Sequence, residues 1–597
     1  MPAGVLRFGP FELDSVNFRL RRSGKPVRLD RIPLELLLLL TQRPGKLVTH
    51  QEAVDRIWGR EVFIEAETAL YTAVRKIRRA LHDHPARPRY VETVPRKGYR
   101  FIADLEAGAR TPEVSGAPVR VILAVLPLDN LSGDARQDYF SDGLTEELIT
   151  QLGRLSPQEM GVISRTSVMR YKGTRKSVAE IGRELGADYL LEGSARLGPG
   201  RVRIAAQLIR VADETHAWAE SYERPLDDVL RVQAEVATAV AQAIRLKLTP
   251  AVLPSGGVNP EAHDYYLRAR ELWNQRTPSA IQKAISYFEK ALQINSSYAQ
   301  AWAGLGTCFA ILPITSDSLP RECFPQAREA AEKALALEDT LPEALIARGL
   351  VHFWFDWDWG SAEQKFRRAI EINPSDSNAR LFLAHVFSNL ARHAEALEEI
   401  RRAHCLDPLS RIVNTHEGHF LYNARQYDSA AAPLERALEL DPHFWVAHIT
   451  MGKLYGMQSR YRASLREFAK AFRFSGGNTE ALALRGHAFG ASGNRTQARR
   501  VLRELEQMSK RRYVPPVHRA LPRLGLGENG AALDTLEEAL EVRDVRMTFL
   551  AVEPRWDALR VHPIFQQLLK RVGLPFQNTV LRPDLPSKTK LLTGFAS

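Results

Sequence analysis

The stretch Ala66-Glu-Thr-Ala-Leu-Tyr-Thr-Ala-Val-Arg-Lys-Ile-Arg-Arg-Ala-Leu81 decides how the N-terminal part of this chain folds. Its larger apolar residues recur at i, i+4, i+7 and i+11, which places them on one face of a helix: Leu70, Val74, Ile77 and Leu81. The opposite face carries Tyr71, Thr72, Arg75, Lys76, Arg78 and Arg79. The stretch therefore predicts a basic amphipathic helix with one buried stripe.

A second stretch follows shortly afterwards, Tyr90-Val-Glu-Thr-Val-Pro-Arg-Lys-Gly-Tyr-Arg-Phe101, and predicts two short strands around a turn at Arg96-Lys97-Gly98. A helix fits the major groove of duplex DNA, and cations at the tip of a hairpin reach the phosphates. The basic helix and the basic hairpin together predict a module that binds duplex DNA.

The charge of the chain is concentrated at its N-terminus. The 597 residues carry a formal net charge of +12, and residues 1–104 contain 20 Lys and Arg against 12 Asp and Glu. Such a concentration favours a nucleic-acid-binding module at this end over a generally basic protein. The length predicts three or more domains.

Several classes of protein are disfavoured by the remaining composition. The three cysteines, Cys308, Cys323 and Cys405, lie far apart, so we expect neither a disulfide framework nor a zinc site. We expect no signal peptide, and no apolar run approaches the ~20 residues that span a bilayer. Catalytic motifs are lacking as well, so the sequence predicts a soluble cytoplasmic protein that is not an enzyme and has no cofactor or metal.

The order of predicted elements in residues 1–104 is short strands in residues 1–30, helices at about 33–43 and 50–58, the basic helix and the hairpin. Together with Phe8-Gly-Pro-Phe-Glu-Leu-Asp14 and Val74-Arg-Lys-Ile-Arg-Arg-Ala-Leu81, this order resembles the OmpR/PhoB-type winged helix over nearly all of residues 5–103. The resemblance implies sequence-specific binding of double-stranded DNA. One departure is His50, which stands where the family usually has an arginine that contacts a phosphate.

The candidate DNA contacts divide into two sets. The side chains near the helix start and on its outward face are predicted to read base edges: Tyr71, Thr72, Arg75 and Lys76. The remaining basic side chains are predicted to hold phosphates: Arg78, Arg79, Arg96, Lys97 and Arg100. For Arg78 an alternative stays open, namely a pair with Glu52 or Asp55. Trp58 and Tyr99 are expected to be core aromatics that brace the wing.

Residues 105–118 have the composition of a linker, and residues 119–250 then alternate strands with helices. Leu126-Pro-Leu-Asp-Asn-Leu-Ser-Gly133 and Tyr139-Phe-Ser-Asp-Gly-Leu-Thr-Glu-Glu-Leu148 resemble the TolB-amino-terminal-like α/β domain of bacterial regulators. This resemblance predicts a central α/β domain and says little about its activity.

Residues 259–547 form a helical repeat whose period can be counted. Small or apolar anchors fall 34 residues apart at Ala369, Ala403, Ala437, Ala471, Leu505 and Ala539. Prolines at 374, 408 and 442 are placed to end the second helix of each pair. A 34-residue helix–turn–helix period is that of the tetratricopeptide repeat. Residues 548–575 are expected to cap this solenoid, and residues 576–597 to form a disordered tail.

The dense aromatic run Phe353-Trp-Phe-Asp-Trp-Asp-Trp359 within the repeats has two interpretations. Packing between helices is favoured, and an exposed binding edge is the alternative.

The predicted fold class is therefore multidomain α/β plus all-α, with a winged helix, a central TolB-like domain and a C-terminal repeat solenoid. The favoured function is a cytoplasmic transcriptional regulator whose repeats and central domain sense a signal or bind RNA polymerase or another protein. The alternative is a repeat scaffold with nonspecific or vestigial DNA binding. A third hypothesis is a nucleotide cyclase, because TolB-like and repeat segments also accompany cyclases. It is disfavoured since the winged helix takes the place of the catalytic domain.

Overall fold

A computed structural model describes residues 5–14, 19–22, 25–27, 29, 31–41, 44–50, 52–53, 66–85, 87–95, 97–103, 106–107, 121–155, 158–244 and 259–576. The chain divides into two compact units, residues 1–117 and 118–597. Several predictions fall outside the described residues: most of the helix at 50–58 with Asp55 and Trp58, the turn residue Arg96, most of the 105–118 linker, and the tail beyond residue 576.

The first unit combines two antiparallel sheets with helices. Its larger sheet has the strand order β4-β3-β2-β1-β8 and contains β1 (Val5–Phe8), β2 (Phe11–Asp14), β3 (Arg19–Arg22), β4 (Lys25–Val27) and β8 (Glu106–Ala107). The smaller sheet has the order β5-β7-β6 and contains β5 (Leu47–Thr49), β6 (Val91–Val94) and β7 (Gly98–Phe101). Helices α1 (Arg31–Thr41) and α2 (Ala66–Leu81) lie between these strands in sequence. Their apolar faces join Phe8 and Phe101 in one buried core.

The second unit begins with a six-stranded mixed sheet. Its main order is β11-β9-β12-β13-β14, and β10 pairs with β12. The strands are β9 (Val121–Val125), β10 (Asp129–Asn130), β11 (Met160–Val162), β12 (Tyr189–Gly198), β13 (Arg201–Arg210) and β14 (Thr215–Pro225). The helices of this segment are α3 (Asp138–Leu155), α4 (Arg165–Val168), α5 (Val178–Leu185) and α6 (Val229–Ala243). The segment thus contains both strands and helices.

The α/β segment and the helical repeats of the second unit are joined by buried polar contacts. Glu146 on α3 pairs with Arg270 of the first repeat helix, and Arg165 of the same α/β segment lies 3.2 Å from Glu146. Ser167 Oγ donates a hydrogen bond to Asp407 Oδ1 at 2.6 Å, and both residues are buried. Because these contacts are buried and charge-assisted, they hold the segment against the repeats. The α/β segment and the repeats lie in the same compact unit, residues 118–597.

The repeats form antiparallel helix pairs, as predicted. The helices are α7 (Pro260–Gln275), α8 (Pro278–Ile294), α9 (Ala299–Thr315), α10 (Pro320–Leu337), α11 (Pro342–Val351), α12 (Trp359–Ile372), α13 (Ser377–Asn389), α14 (His393–Leu406), α15 (Arg411–Asn423), α16 (Tyr427–Leu440), α17 (Trp445–Met457), α18 (Tyr461–Phe474), α19 (Thr479–Ala491), α20 (Arg495–Ser509), α21 (Pro516–Gly525), α22 (Asn529–Glu541) and α23 (Pro563–Val572).

The small residues of the 34-residue pattern lie where helices touch. All six anchors are fully buried: Ala369, Ala403, Ala437, Ala471, Leu505 and Ala539. A Cβ added at Gly349 would lie 2.7 Å from the Phe366 ring, and one at Gly452 would lie 2.5 Å from the Phe468 ring. Since contacts this short do not occur, glycine is required for the close approach of the paired helices. The repeat prediction is confirmed in period and in packing.

Residues 545–576 do more than cover the last helix pair. They contain two 3₁₀ segments, Val545–Phe549 and Pro554–Leu559, before α23. Arg546 Nη1 donates to the Pro313 carbonyl oxygen at 3.3 Å, and Arg425 Nη1 donates to the Val552 carbonyl oxygen at 2.6 Å. Trp359 Nε1 donates to the Val572 carbonyl oxygen at 2.9 Å. This C-terminal segment therefore runs across early and middle repeats as well as the last one.

The aromatic run at residues 353–359 packs inside the repeats. A π-helical segment, His352–Asp356, continues α11, and Phe353, Trp354, Trp357 and Trp359 are buried. Packing between helices is the correct interpretation. Across the described residues, no helix is both long and apolar enough to cross a membrane.

His263 on α7 makes the stability of the second unit sensitive to acid. Burial lowers its pKa from 6.5 to about 4 against the attraction of Asp264, and its Nδ1 lies 2.8 Å from the Tyr298 hydroxyl. Below pH 6.5 the unfolded chain binds a proton that the folded chain excludes, so stability falls as the pH falls towards 4. Between pH 6.5 and 4.5, wild type should lose about 2 kcal/mol more unfolding free energy than His263→Gln.

Urea unfolding of the full-length proteins at the two pH values measures this difference. His216→Gln is the control, because His216 is exposed. Wild-type and His263→Gln stabilities that fall in parallel would contradict the assignment.

Candidate DNA-binding surface

Helix α2 is built as its sequence pattern predicts. Leu70, Val74, Ile77 and Leu81 are each at most 3% exposed, so the apolar stripe is sealed in the core. The opposite face of the helix is more exposed, and Tyr71 on this face is 60% exposed. The helix interior contains neither glycine nor proline, which suits a rigid rod.

The four base-reading candidates lie on the side of α2 that faces away from the core. Tyr71 and Arg75 are four residues apart, as are Thr72 and Lys76, so they form two adjacent rows on the helix surface. Tyr71, Arg75 and Lys76 are exposed, and Thr72 is half-buried. Arg79, one of the phosphate candidates, continues the first row and is also exposed. Together these side chains make a basic, hydrogen-bonding ridge.

The wing is the hairpin of β6 and β7. The register pairs Val94 with Gly98 and Glu92 with Arg100, and β5 covers the other edge of β7. The phosphate candidate Lys97 is exposed in the turn, where its backbone N–H donates to the Val94 carbonyl oxygen at 3.0 Å. Arg100 Nη1 lies 3.3 Å from Glu92 Oε2, a partly exposed pair across the two strands. The turn therefore places the Lys97 side chain at the exposed end of the β6–β7 hairpin.

Gly98 is needed for the wing to close. Its φ is +152°, and a Cβ at this position would lie 2.0 Å from the Val48 carbonyl oxygen. No side chain fits between β5 and β7 at that distance. The glycine of the predicted turn thus brings β7 against β5.

The rings of His50 and Tyr99 connect the wing to α2. The His50 ring lies 6.1 Å from the Tyr71 ring and 5.4 Å from the Tyr99 ring. Tyr99 is buried, as predicted for a core aromatic that braces the wing. The His50 backbone N–H donates to the Lys97 carbonyl oxygen at 3.2 Å. The position at which the sequence departs from the OmpR/PhoB pattern therefore lies between helix and wing.

Arg78 has a role within the domain. Its Nη2 donates to the Val91 carbonyl oxygen at 2.9 Å and to Thr93 Oγ1 at 2.8 Å. These bonds tie α2 to the first strand of the wing. Neither bond goes to Glu52, and the alternative pair with Asp55 lies outside the described residues. The phosphate contact predicted for Arg78 stays a prediction.

Asp83 is a residue whose importance the sequence analysis missed. In the structure Asp83 is 8% exposed, and its carboxylate accepts backbone N–H bonds from Arg89 at 2.6 Å, Tyr90 at 3.2 Å and Val91 at 2.8 Å. The available signal was an acidic residue directly after a helix end, a position that favours loop capping. Asp83 fixes the wing relative to α2.

Replacing Asp83 with alanine should loosen this loop. Three buried or partly buried N–H groups would lose a charged acceptor, which should cost about 2–4 kcal/mol of stability in the domain. Hydrogen–deuterium exchange in the full-length protein should show faster exchange at residues 89–91. Glu92→Gln is the control, because its pair with Arg100 is partly exposed. Unchanged protection of residues 89–91 in Asp83→Ala would contradict the anchoring role.

Two family models match the chain. Residues 24–101 match the family described as transcriptional regulatory protein, C terminal, and residues 119–238 match the second domain of HilA/YgeH-like transcriptional regulators. The N-terminal unit is therefore an OmpR/PhoB-type winged helix. For the central segment the matching family is that of HilA/YgeH-like regulators, and the TolB resemblance stays a prediction.

The similar proteins include regulators and one protein named as an enzyme. The chain is 22% identical to the transcriptional regulator HilA of Salmonella typhi over 433 residues, which cover 72% of this chain and 70% of HilA. It is 35% identical over 246 residues to putative adenylate cyclase 3 of Rhizobium meliloti, covering 40% of this chain and 41% of that protein. The chain thus matches about two fifths of the length of this cyclase-named relative.

A similar solved structure is the DNA-binding domain of Klebsiella pneumoniae RstA in complex with the RstA box. It is 23% identical and covers 16% of this chain and 96% of that chain, with a TM-score of 0.15. The family models and HilA relate the chain to DNA-binding transcriptional regulators.

Proposed function

We propose that the chain is a sequence-specific transcriptional regulator that binds double-stranded DNA through its winged helix. The observation that carries this proposal is the exposed basic ridge of α2, held beside a wing with a basic turn. A helix of this width enters the major groove of B-DNA, where each base pair has its own pattern of donors and acceptors. The wing turn then reaches the phosphate backbone.

The proposed DNA contacts follow from placing α2 in the major groove and the wing turn beside the phosphate backbone. The residues on the ridge would read base edges: Tyr71, Thr72, Arg75 and Lys76. The other basic residues would hold phosphates: Arg78, Arg79, Arg96, Lys97 and Arg100. Arginine suits guanine through two parallel hydrogen bonds, whereas a lysine in a turn acts as a point charge on a phosphate. Arg78 would also position the wing through its bonds to β6.

We further propose that the second unit regulates the first by sensing a signal or by binding RNA polymerase or another protein in the cytoplasm. The similarity to HilA over 72% of the chain supports a regulator with this organisation. We infer no catalytic role for the chain, since both matching family models describe transcriptional regulators.

Selection of bound duplexes from a random pool with the full-length protein tests the proposal. A regulator should enrich a defined motif over successive rounds. A scaffold with nonspecific DNA binding would retain DNA through charge alone, with strong salt dependence and no enriched motif. The Gly98→Ala variant is the control, because it should lose the wing while the second unit stays folded.

A further inference from the structure

The helical repeats of the second unit line a partly open cavity of about 190 Å³. Its lining combines aromatic, aliphatic and charged side chains from the repeat helices and the C-terminal segment. The Trp and Phe residues among them are Trp354, Phe382, Phe444, Trp445, Phe549 and Trp556. A cavity of ~150 Å³ with apolar walls holds benzene. The space here therefore suits one aromatic ring with a small substituent.

Two indole groups that line this cavity have no hydrogen-bond partner among the described residues. Nε1 of Trp354 and Nε1 of Trp445 are buried and unpaired, and the two side chains are 3% and 8% exposed. An indole N–H can only donate, and buried donors in proteins are almost always paired. A molecule that satisfies them must offer hydrogen-bond acceptors.

Three histidines on the same wall form a cluster. The ring of His385 lies 4.6 Å from that of His416 and 6.3 Å from that of His419. Burial lowers the pKa of all three, that of His416 to about 4, so the cluster is neutral near pH 7. In the part of the chain that the structure describes, Nδ1 of His385 and Nε2 of His419 have no hydrogen-bond partner. Among the described residues, no group of three His, Cys, Asp or Glu side chains has the geometry of a metal site.

The charged groups that face the cavity are largely paired with one another. Lys453 Nζ lies 3.2 Å from Glu480 and 3.8 Å from Glu553, and Arg555 lies 2.8 Å from Glu553. Arg546 lies 3.7 Å from Glu480. The lining holds four cations, including Arg276, and two carboxylates. Asp544 at 3.6 Å and Asp317 at 3.9 Å also pair with Arg546 from outside the lining. A hydrogen-bond acceptor therefore suits this lining better than a further cation does.

We propose that this cavity binds a small molecule with a single aromatic ring that bears a carbonyl or carboxylate group. The ring would pack among the aromatic side chains of the lining, and its oxygen atoms would accept from the unpaired N–H groups. The ligand would touch the repeats and residues 549–556 together, so its binding would stabilise the C-terminal segment against the repeats. The site is independent of the DNA-binding surface, and its test needs no DNA.

Calorimetric titration of the full-length protein with benzamide and benzoate tests the proposal, with benzylamine as the cationic comparison. At least one of the first two probes should bind with one-to-one stoichiometry and raise Tm, whereas benzylamine should not bind. Benzoate alone would identify a carboxylate site, and benzamide alone a neutral carbonyl site. No binding of either probe at millimolar concentration, or equal binding of all three, would overturn the proposal.

Two variants locate the binding. Trp445→Phe keeps an aromatic ring and removes one N–H donor, so it should raise the Kd of the probe about fivefold. Ile449→Phe should reduce the free volume and block binding. Trp302→Phe is the matched control, because the Trp302 indole donates to the Ser296 carbonyl oxygen outside the cavity. If both cavity variants keep the wild-type Tm, circular dichroism and affinity for the probe, the proposed site is wrong.

Discussion

Arg75→Ala in the full-length protein is expected to bind the selected duplex about 10- to 100-fold more weakly than wild type. Arg75 is exposed in the outward row of α2, and a bidentate contact to a base is worth about 1–3 kcal/mol. Lys76→Ala should act in the same direction. Binding to a shuffled duplex should change much less, because that binding depends on phosphates. Fluorescence anisotropy with both duplexes at one salt concentration measures the two losses.

Lys97→Ala is the matched comparison, because its lysine lies in the wing turn. It should weaken binding to both duplexes by a similar factor and reduce the salt slope by about 1. Equal losses on both duplexes for Arg75→Ala, Lys76→Ala and Lys97→Ala would show that α2 does not read bases.

Glu553→Ala is expected to destabilise the second unit by about 3–5 kcal/mol. The Glu553 carboxylate is 4% exposed and lies between Arg555 and Lys453, and it accepts a hydrogen bond from the Tyr422 hydroxyl at 2.5 Å. These cations hold its pKa well below the usual range for glutamate despite its burial. Without it, two buried cations lose a shared partner.

Urea unfolding of the full-length variant near pH 7 measures this loss. Glu537→Ala is the control, because Glu537 is exposed on α22 and its removal should change stability by less than about 0.5 kcal/mol. If both variants unfold at the wild-type urea concentration, Glu553 does not hold the C-terminal segment in place.

The repeats could be predicted in detail because their information is local and periodic. A 34-residue spacing places each anchor, such as Ala437, at the same point of every helix pair, and the structure buries it. Contacts between segments that are far apart in sequence leave no such periodic pattern in the sequence. The bond from Trp359 to Val572 joins residues 213 positions apart, and nothing near either residue indicates the other. The C-terminal segment was therefore expected to be a cap, although it crosses several repeats.

The DNA-binding surface was predictable to the level of helix faces. The 3.6-residue period assigns Leu70 and Ile77 to the core and Arg75 to the outside, and the structure agrees. The period does not predict the contacts of a side chain that lies at the boundary between the buried and the exposed face of the helix. Arg78 lies at that boundary and reaches the wing, and Asp83 follows the helix and holds the next loop. Both roles depend on the approach of the hairpin, which only the folded domain defines.

The central claim is that the winged helix discriminates between DNA sequences. The most direct measurement is the ratio of Kd values of the full-length protein for the selected duplex and for a shuffled duplex of the same composition, at one fixed salt concentration. A specific regulator should bind the selected duplex at least about 1,000-fold more tightly. A ratio near one at that salt concentration would contradict specific recognition and identify a protein that binds DNA by charge alone.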